Sequence, residues 1–422
     1  MINQTKNILG PKLRFPEFKD AGEWQKETVG EIAQVTSGGT PDSTNEKFWN
    51  GDIPWMNSGE LNNKRINSVS NKITSLGLEE SSTKLIPPQC VLIGLAGQGK
   101  TRGTAAINYI ELCTNQSIAS IHPNNGVFNS EFLYQRMDSM YDQLRALSTG
   151  EGGRGGLNLQ IIKSIEVPLP ILDEQQKIAD CLSSLDEYLT AQSDKLEAFK
   201  VHKKGLMQQL FPTEGDASTG SAVPKLRFAE FRDSGEWSFV KLGEVCEFTQ
   251  GVQIPSSEQT NIFSNGYIRY LYIRDFFTDK FKCYVQDKYP DKVIEKDEIM
   301  MVNTGNTAGQ AYRGVRGVLS NNSFKITFNR NKINGSFLFT VLTGDFIQNQ
   351  IQTFFNAAGQ PHLGHKNVSL LPFTYPALPE QQKIADCLSS LDKLIKAQSE
   401  KIETLKAHKK GLMQQLFPLS GL

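Results

Sequence analysis

The chain has 422 residues, of which 38% are hydrophobic and 21% charged, with a mean hydropathy of −0.37. That is the composition of a globular protein with room for two to four domains, and no run of residues approaches the length of a membrane span. The 45 basic and 45 acidic residues cancel, which excludes a protein drawn to a polyanion by its overall field; contact with nucleic acid has to come from local patches or from a basic partner.

The N-terminal MINQTKNILGPKLRF lacks the apolar core of a signal peptide, so a cytoplasmic location is expected. At Pro11 begins a block, PKLRF-x-EF leading to GEW and on to residue 37, that returns at Pro224. Behind it lies a stretch from about Thr36 to Leu172 in which short β-type runs such as CVLIGLA and IEVPLP alternate with Gly, Asn and Pro, with a helical pattern at Ser130 to Leu147. Its Cys90 and Cys113, like Cys181, Cys246, Cys283 and Cys387, stand in no CxxC spacing and are expected as reduced thiols.

From Glu174 the period of the pattern changes. EQQKIADCLSSLD at Glu174 to Asp186 returns at Glu380 to Asp392, and HKKGLMQQLFP at His202 to Pro212 returns at His408 to Pro418. Apolar residues recur in 4-3-4 spacing at Ile178, Leu182, Leu185, Leu189, Leu196, Phe199, Leu206 and Leu210, broken at Gln192 and Lys203. The second copy keeps the register, with Gln398 and Lys409 in the seam. Sustained over about five heptads, this predicts coiled-coil helices of roughly 55 Å. The natural partner of each helix is the other copy. An antiparallel pair is expected, relating two units by a pseudo-two-fold axis, with Gln192 and Gln398 meeting near the middle to set register.

TEGDASTGSAV after the first helix is a polar, Gly/Ser-rich linker. The second variable stretch, about Thr249 to Leu378, keeps the skeleton of the first: GYIRYLYIRDF at Gly266 to Phe276 parallels GDIPWMNSGEL at Gly51 to Leu61, and SNNSFKIT at Ser320 parallels TNQSIASI at Thr114. It carries about four more basic than acidic residues, whereas the first stretch is near neutral. A period of roughly 210 residues marks a duplicated domain rather than a solenoid. The expected map is a domain at 1–172 (opening block 11–37), a helix at 173–212, the linker at 213–223, a second domain at 224–378 and a second helix at 379–418.

GLAGQGKT at Gly94 to Thr101 satisfies the phosphate-binding pattern G-x4-G-K-[ST] directly after a β-type run. A phosphate loop opens a helix, whereas RGTAAINYI comes next here, with Gly103 and β-branched residues where that helix should begin. The loop has a second use. Small residues let backbone approach a polyanion, Lys and Arg meet phosphates, and Gln or Arg reads base edges. Gln98, Lys100, Thr101 and Arg102 are therefore candidate DNA contacts, with Asn306, Gln310, Arg313 and Arg316 as their counterparts in the second unit. A further Gly-rich loop precedes each helix: STGEGGRGGLN at Ser148, with Arg154 and Asn158, and NAAGQPHLGHKN at Asn356, with His362, His365 and Lys366. Lys64 and Arg65 beside the first aligned stretch, and Arg269 and Arg274 within the second, complete the candidates. The H-x2-H spacing of His362 and His365 has no Cys or carboxylate pair near it, so no metal is expected. No G-x-S-x-G, H-E-x-x-H or N/D-P-P-Y motif occurs, and no catalytic residue is assigned.

SGGTPDSTNEKFWNGDIPWMNSGEL (Ser37 to Leu61), GLAGQGKTRGT (Gly94 to Thr104), STGEGGRGGLN and the proline-bearing approach to each EQQKIA helix resemble the specificity subunits of type I restriction-modification enzymes. The resemblance spans essentially the whole chain. Unit two departs from the pattern, with TQGVQIPSS (Thr249 to Ser257) for TSGGTPDS and Arg269-Tyr270 for Pro54-Trp55. The resemblance implies an α+β fold: two mixed α/β target-recognition domains separated by two long helices forming an antiparallel coiled coil, in a pseudo-two-fold tandem repeat. It also implies that each domain reads one half of an asymmetric, bipartite site in double-stranded DNA, and that the helices set the unread spacer. Two modification subunits using S-adenosylmethionine would methylate adenine, and restriction subunits using ATP and Mg would translocate and cut, in defence against phage. This chain would be non-catalytic, would hold no cofactor itself, and would bind DNA modestly without partners because phosphate contacts dominate affinity. Two other readings stay open at this point: a P-loop NTPase with a coiled-coil arm, and a non-catalytic protein scaffold.

Overall fold

The computed structural model describes residues 10–97, 99–147, 156–212, 223–355 and 361–418. Gln98, Arg154 and all of the expected linker except Val223 lie outside them. The chain forms two compact units, Met1–Asp194 with Glu400–Leu422, and Lys195–Ser399. Each unit owns one variable stretch, the first turns of one long helix and the last turns of the other.

In unit one, strands Val35–Ser37, Ile118–Ile121, Val91–Gly94, Ala105–Asn108 and Arg65–Ile66 are hydrogen-bonded in that order. The middle strands are buried on both faces, which is why they are mainly apolar, with Asn108 and Ser120 as buried polar exceptions. Alternate residues serve different cores. Val91 and Ile93 pack with Phe132, Leu133 and Met137 of helix Ser130–Ser139. Leu92 and Ala106 pack with Met56, Leu61 and Leu112, beside a second sheet ordered Asn71–Ile73, Trp49–Met56, Leu112–Thr114, Leu85–Ile86. A ribbon of Gln25–Thr28 against Glu166–Leu169 ties the opening block to the strand that precedes the helix.

Unit two repeats the plan. Its sheets run Cys246–Gln250, Ser323–Phe328, Ile299–Val302, Ala311–Tyr312 and Tyr284–Gln286, Tyr267–Leu271, Gly317–Leu319, Val293–Ile294, with a ribbon of Ser238–Lys241 against Pro372–Tyr375. The β-type runs CVLIGLA and IEVPLP hold strands, as do IRYLYIR, EIMMV and SFKITF in unit two, and the helical stretch at Ser130 to Leu147 holds two helices, Ser130–Ser139 and Tyr141–Leu147.

The long helices are Leu172–Leu210 and Leu378–Leu416, 39 residues each, or about 58 Å. Within unit one, Lys401 lies 5.2 Å over the Tyr188 ring, Asp186 pairs with Lys409, and Ile178 and Leu182 share a core with Met413 and Leu416. Numbers that rise on one helix fall on the other, so the pairing is antiparallel, as expected. Within unit two Lys203 pairs with Asp392 at 2.6 Å, and Leu206 and Leu210 pack with Ile384 and Leu388. The lysines that interrupt the apolar pattern thus each meet an aspartate of the opposite helix and hold register inside their own unit. Gln398 is buried and Gln192 half-buried. On the first helix Ile178, Leu182 and Leu210 are buried and Leu185, Leu189, Leu196, Phe199 and Leu206 half-buried, while on the second Ile402 is buried as well.

The repeated EQQ is how each helix seats on its own domain. Glu174 accepts two bonds from the Arg14 guanidinium, at 2.8 and 2.6 Å. Gln175 donates to the Pro170 carbonyl and accepts from the Asn129 amide, while Gln176 accepts from the Asn129 side chain. Arg227, Glu380, Gln381, Gln382 and Asn334 repeat the set in unit two. No helix among the described residues is long and apolar enough to cross a membrane. All six cysteines are free; burial pushes the thiols of Cys90, Cys113 and Cys246 up to about 12, leaving them as inert core residues.

Candidate nucleic-acid interface

In unit one the Gly-rich run is the connection of a β-hairpin. Val91–Gly94 pairs antiparallel with Ala105–Asn108, and the loop closes on itself through Gly94 N to Thr104 O at 3.0 Å and Gly103 N to Gly94 O at 2.9 Å. A Cβ on Gly94 would stand 2.3 Å from the Thr101 carbonyl oxygen, so only glycine permits this approach. A strand comes after Thr101 where a phosphate loop requires a helix, and the NTP-binding alternative fails on that geometry.

The second Gly-rich run meets the first. The Leu157 amide donates to the Leu95 carbonyl at 3.1 Å, while Tyr141 Oη and the Arg145 guanidinium donate to the carbonyls of Lys100 and Gly99. Unit two makes the same junction: Leu363 N donates to Asn303 O at 2.7 Å and Gly305 N to Pro361 O at 3.0 Å. A third segment joins through the turns of the aligned TNQS and SNNS. Gly39 N donates to Thr114 O and Leu95 N to Ser117 O; in unit two Val252 N donates to Leu319 O and Asn303 N to Asn322 O. Three loops distant in sequence therefore meet on one turn in each domain.

Where the domains differ in sequence, they keep the bond. Trp55 Nε1 donates to Gly39 O at 3.0 Å, and Tyr270 Oη donates to Val252 O at 2.7 Å. The departure at Arg269-Tyr270 thus preserves the scaffold. Gly309 in the second hairpin has φ +88°, and a Cβ there would lie 2.5 Å from Cγ2 of the buried Ile351. Gly309→Ala is expected to remove about 1 to 3 kcal/mol from unit two through backbone strain and displacement of Ile351. Hydrogen exchange in strand Ile299–Val302, with strand Val91–Gly94 as the internal control, measures it; unchanged protection at both strands refutes the assignment.

The sequence profile described as "Type I restriction modification DNA specificity domain" matches residues 21–198 and 234–407. The chain belongs to this family. Among relatives of this specificity subunit, the Methanocaldococcus jannaschii type I restriction enzyme MjaVIII specificity subunit is 23% identical over 420 residues, covering 96% of this chain and 93% of the relative. The EcoR124I/EcoR124II specificity subunit of Escherichia coli is 30% identical over 173 residues, 40% of this chain and 42% of that one. In fold, the chain is similar to the type I restriction-modification S subunit from M. genitalium, with a TM-score of 0.60 at 18% identity over 98% of this chain and 100% of that one.

In this specificity subunit the candidate contacts separate into two groups. Lys100, Asn306, Gln310, His362, Lys366 and Arg274 are exposed, and Thr101 and Arg102 are half-exposed on the hairpin loop. The second group is held by bonds within the chain, with the Arg65 and Arg269 side chains mostly covered and those of Lys64 and Arg316 40% and 50% exposed. Lys64 pairs with Asp138 at 2.6 Å. Arg65 bonds Glu131, Asp186, Ser183 and Tyr109 and lies 5.3 Å over the Tyr134 ring. Burial is the largest single influence and opposes its charge, but the bond to Glu131, the charge of Glu131 and the nearby Tyr109 and Tyr134 together outweigh it and raise its pKa. Asn158 caps helix Leu159–Lys163 by accepting from Ile161 N. Arg269 is held by Asp275 and Asp279, both at 2.7 Å, and Arg316 by Glu295. Arg313 bonds Ser336 and lies 4.5 Å over the Phe339 ring, with burial lowering its pKa.

His365 is packed against Phe248 and Phe324 and shares a 2.7 Å bond with Gln250; burial, then the nearby His362, lowers its pKa. His362 meets Thr304, and among the described residues no group of three or more His, Cys, Asp or Glu could hold a metal. Gln250, absent from the candidates, is the hub of unit two: it also accepts from Asn303 and donates to Asn321 O and Ser323 O. Its position in the aligned TQG and TSG segments was the one available signal.

Proposed function

We propose that each unit of this specificity subunit reads one half of an asymmetric, bipartite site in double-stranded DNA, and that the length of the paired helices sets the number of unread bases between the halves. The observation that carries the reading is the repeated junction of three loops: the same three segments are joined by backbone bonds in both units, while the exposed side chains on them differ. Matched frames with unmatched side chains suit two readers of two different sequences.

The chain acts by recognition, within a complex whose modification subunits use S-adenosylmethionine to methylate adenine and whose restriction subunits use ATP and Mg. Zero net charge supports this division, since a neutral reader gains little of the sequence-independent phosphate affinity by itself, and tight binding calls for partners that close around the duplex. A P-loop role is not carried forward.

The test is an exchange of residues 36–172 for the corresponding stretch of a different relative, in a cell that also makes the partner subunits, followed by methylation-pattern sequencing. Half of the methylated sequence is expected to change while the other half and the gap stay as they were. Methylation unchanged in both halves refutes the reading and favours a protein scaffold.

A further inference from the structure

We propose that the segment Arg274–Lys282 of unit two is an aromatic wedge: Phe277 and Phe281 enter the duplex at the half-site read by this unit and unstack a base step there. The inference rests on the functional reading above and adds a contact mode for which unit one has no aromatic residue at the aligned position.

The segment links strand Tyr267–Leu271 to strand Tyr284–Gln286. Phe277 is 66% exposed and Phe281 62%, four residues apart in a chain that buries most of its large apolar side chains. Clustered exposed aromatic surface marks an interaction site. Its charge selects the partner. The Arg274 guanidinium lies 4.9 Å over the Tyr272 ring and 5.8 Å over the Phe281 ring. Lys280 and Lys282 flank Phe281, are exposed, and form no ion pair with a described residue. The two acids of the segment, Asp275 and Asp279, are both held by Arg269. Cations interleaved with π faces suit a polyanion that carries stacked bases.

Position agrees with charge. The Phe277 ring meets the Tyr312 ring edge-on at 5.0 Å, and Tyr312 Oη bonds Gln310 on the reading hairpin. Wedge and reading loop therefore share a wall. Unit one supplies the contrast. Its framework has the same capping turn, Asn57 with Glu60 for Tyr272 with Asp275, but Asn62 stands at the place of Phe277. A Phe inserted between base pairs partly unstacks them and bends the duplex by about 20 to 90°.

The experiment uses the complex with its modification subunits and a target defined by methylation sequencing, with 2-aminopurine placed at successive positions of both half-sites. One step in the half read by unit two is expected to brighten on binding. Phe277→Ala should abolish that signal and weaken DNA binding about tenfold, while Phe277→Leu, whose side chain can also wedge, keeps part of both. Normal methylation with no Phe277-dependent brightening overturns the wedge alone. Phe277→Ala that weakens subunit assembly but leaves the DNA response unchanged overturns it in favour of a protein contact. Partners that methylate no two-part sequence overturn the functional reading, and the wedge with it.

Discussion

Replacing Arg227 with Met is expected to destabilise unit two by about 3 to 5 kcal/mol, because it strands a buried carboxylate. The Arg227 side chain is 8% exposed and that of Glu380 2%. The guanidinium grips Glu380 with two bonds of 2.7 Å and gives a third, at 2.6 Å, to the Gly235 carbonyl. One side chain thus joins the opening block to the first turn of the second long helix. Lys cannot reproduce a two-pronged grip, so Arg227→Lys recovers only part of the loss. Arg227→Met with Glu380→Leu recovers most of it, since no charge is then left in the interior. Amide exchange in strand Ser323–Phe328 reads the effect, and strand Ile118–Ile121 of unit one is the control. Equal protection in Arg227→Met and the parent chain defeats the argument. Arg14 and Glu174 predict a parallel loss in unit one.

Four residues inserted after Gln192 and four after Gln398 should abolish methylation of the natural target and move it to a site whose gap is longer by about one to two base pairs. Four helical residues add about 6 Å, against roughly 3.4 Å per base pair. The insertion points spare what holds each unit together. They lie between Asp186 and Lys203 on one helix and between Asp392 and Lys409 on the other, so both ion pairs keep their partners. The apolar ends at Ile178, Leu182, Ile384 and Leu388 are untouched as well. Methylation sequencing reads the gap, and an unchanged gap in an active variant rules out the helices as the ruler.

Elements and pairings were legible in the residues to different depths. The period of 3.5 at Ile178 to Leu210 announced a helix and a partner, and the aspartate–lysine pairs explain why Lys203 and Lys409 sit in an apolar seam. The GLAGQGKT match could be discounted from Gly103 and the β-branched residues that follow it, because its meaning depends on the element that begins after Thr101, and the bond from Gly103 N to Gly94 O makes that element a returning strand. Gln250 was passed over since a single Gln in a short run carries no pattern; its partners His365 and Asn303 are 115 and 53 residues away. The tract FFTDKFK, by contrast, was open to view as aromatics alternating with lysine.

The sequence by itself determined the duplication, the two long helices, the shared skeleton of the variable stretches and the family to which they belong. These are written in short-range periods and repeated strings, while the antiparallel sense that the sequence favoured was decided by the Asp186–Lys409 and Lys203–Asp392 pairs. Only the tertiary structure decided which cations face solvent. Arg65 looked available until Glu131 and Asp186, 66 and 121 residues away, came to rest against it, whereas Lys100, whose carbonyl bonds Tyr141 and Thr104, stays exposed with no described acid paired to it. A charge is free or bound according to what folding brings beside it, and that is a property of pairs distant in the chain, which no local pattern records.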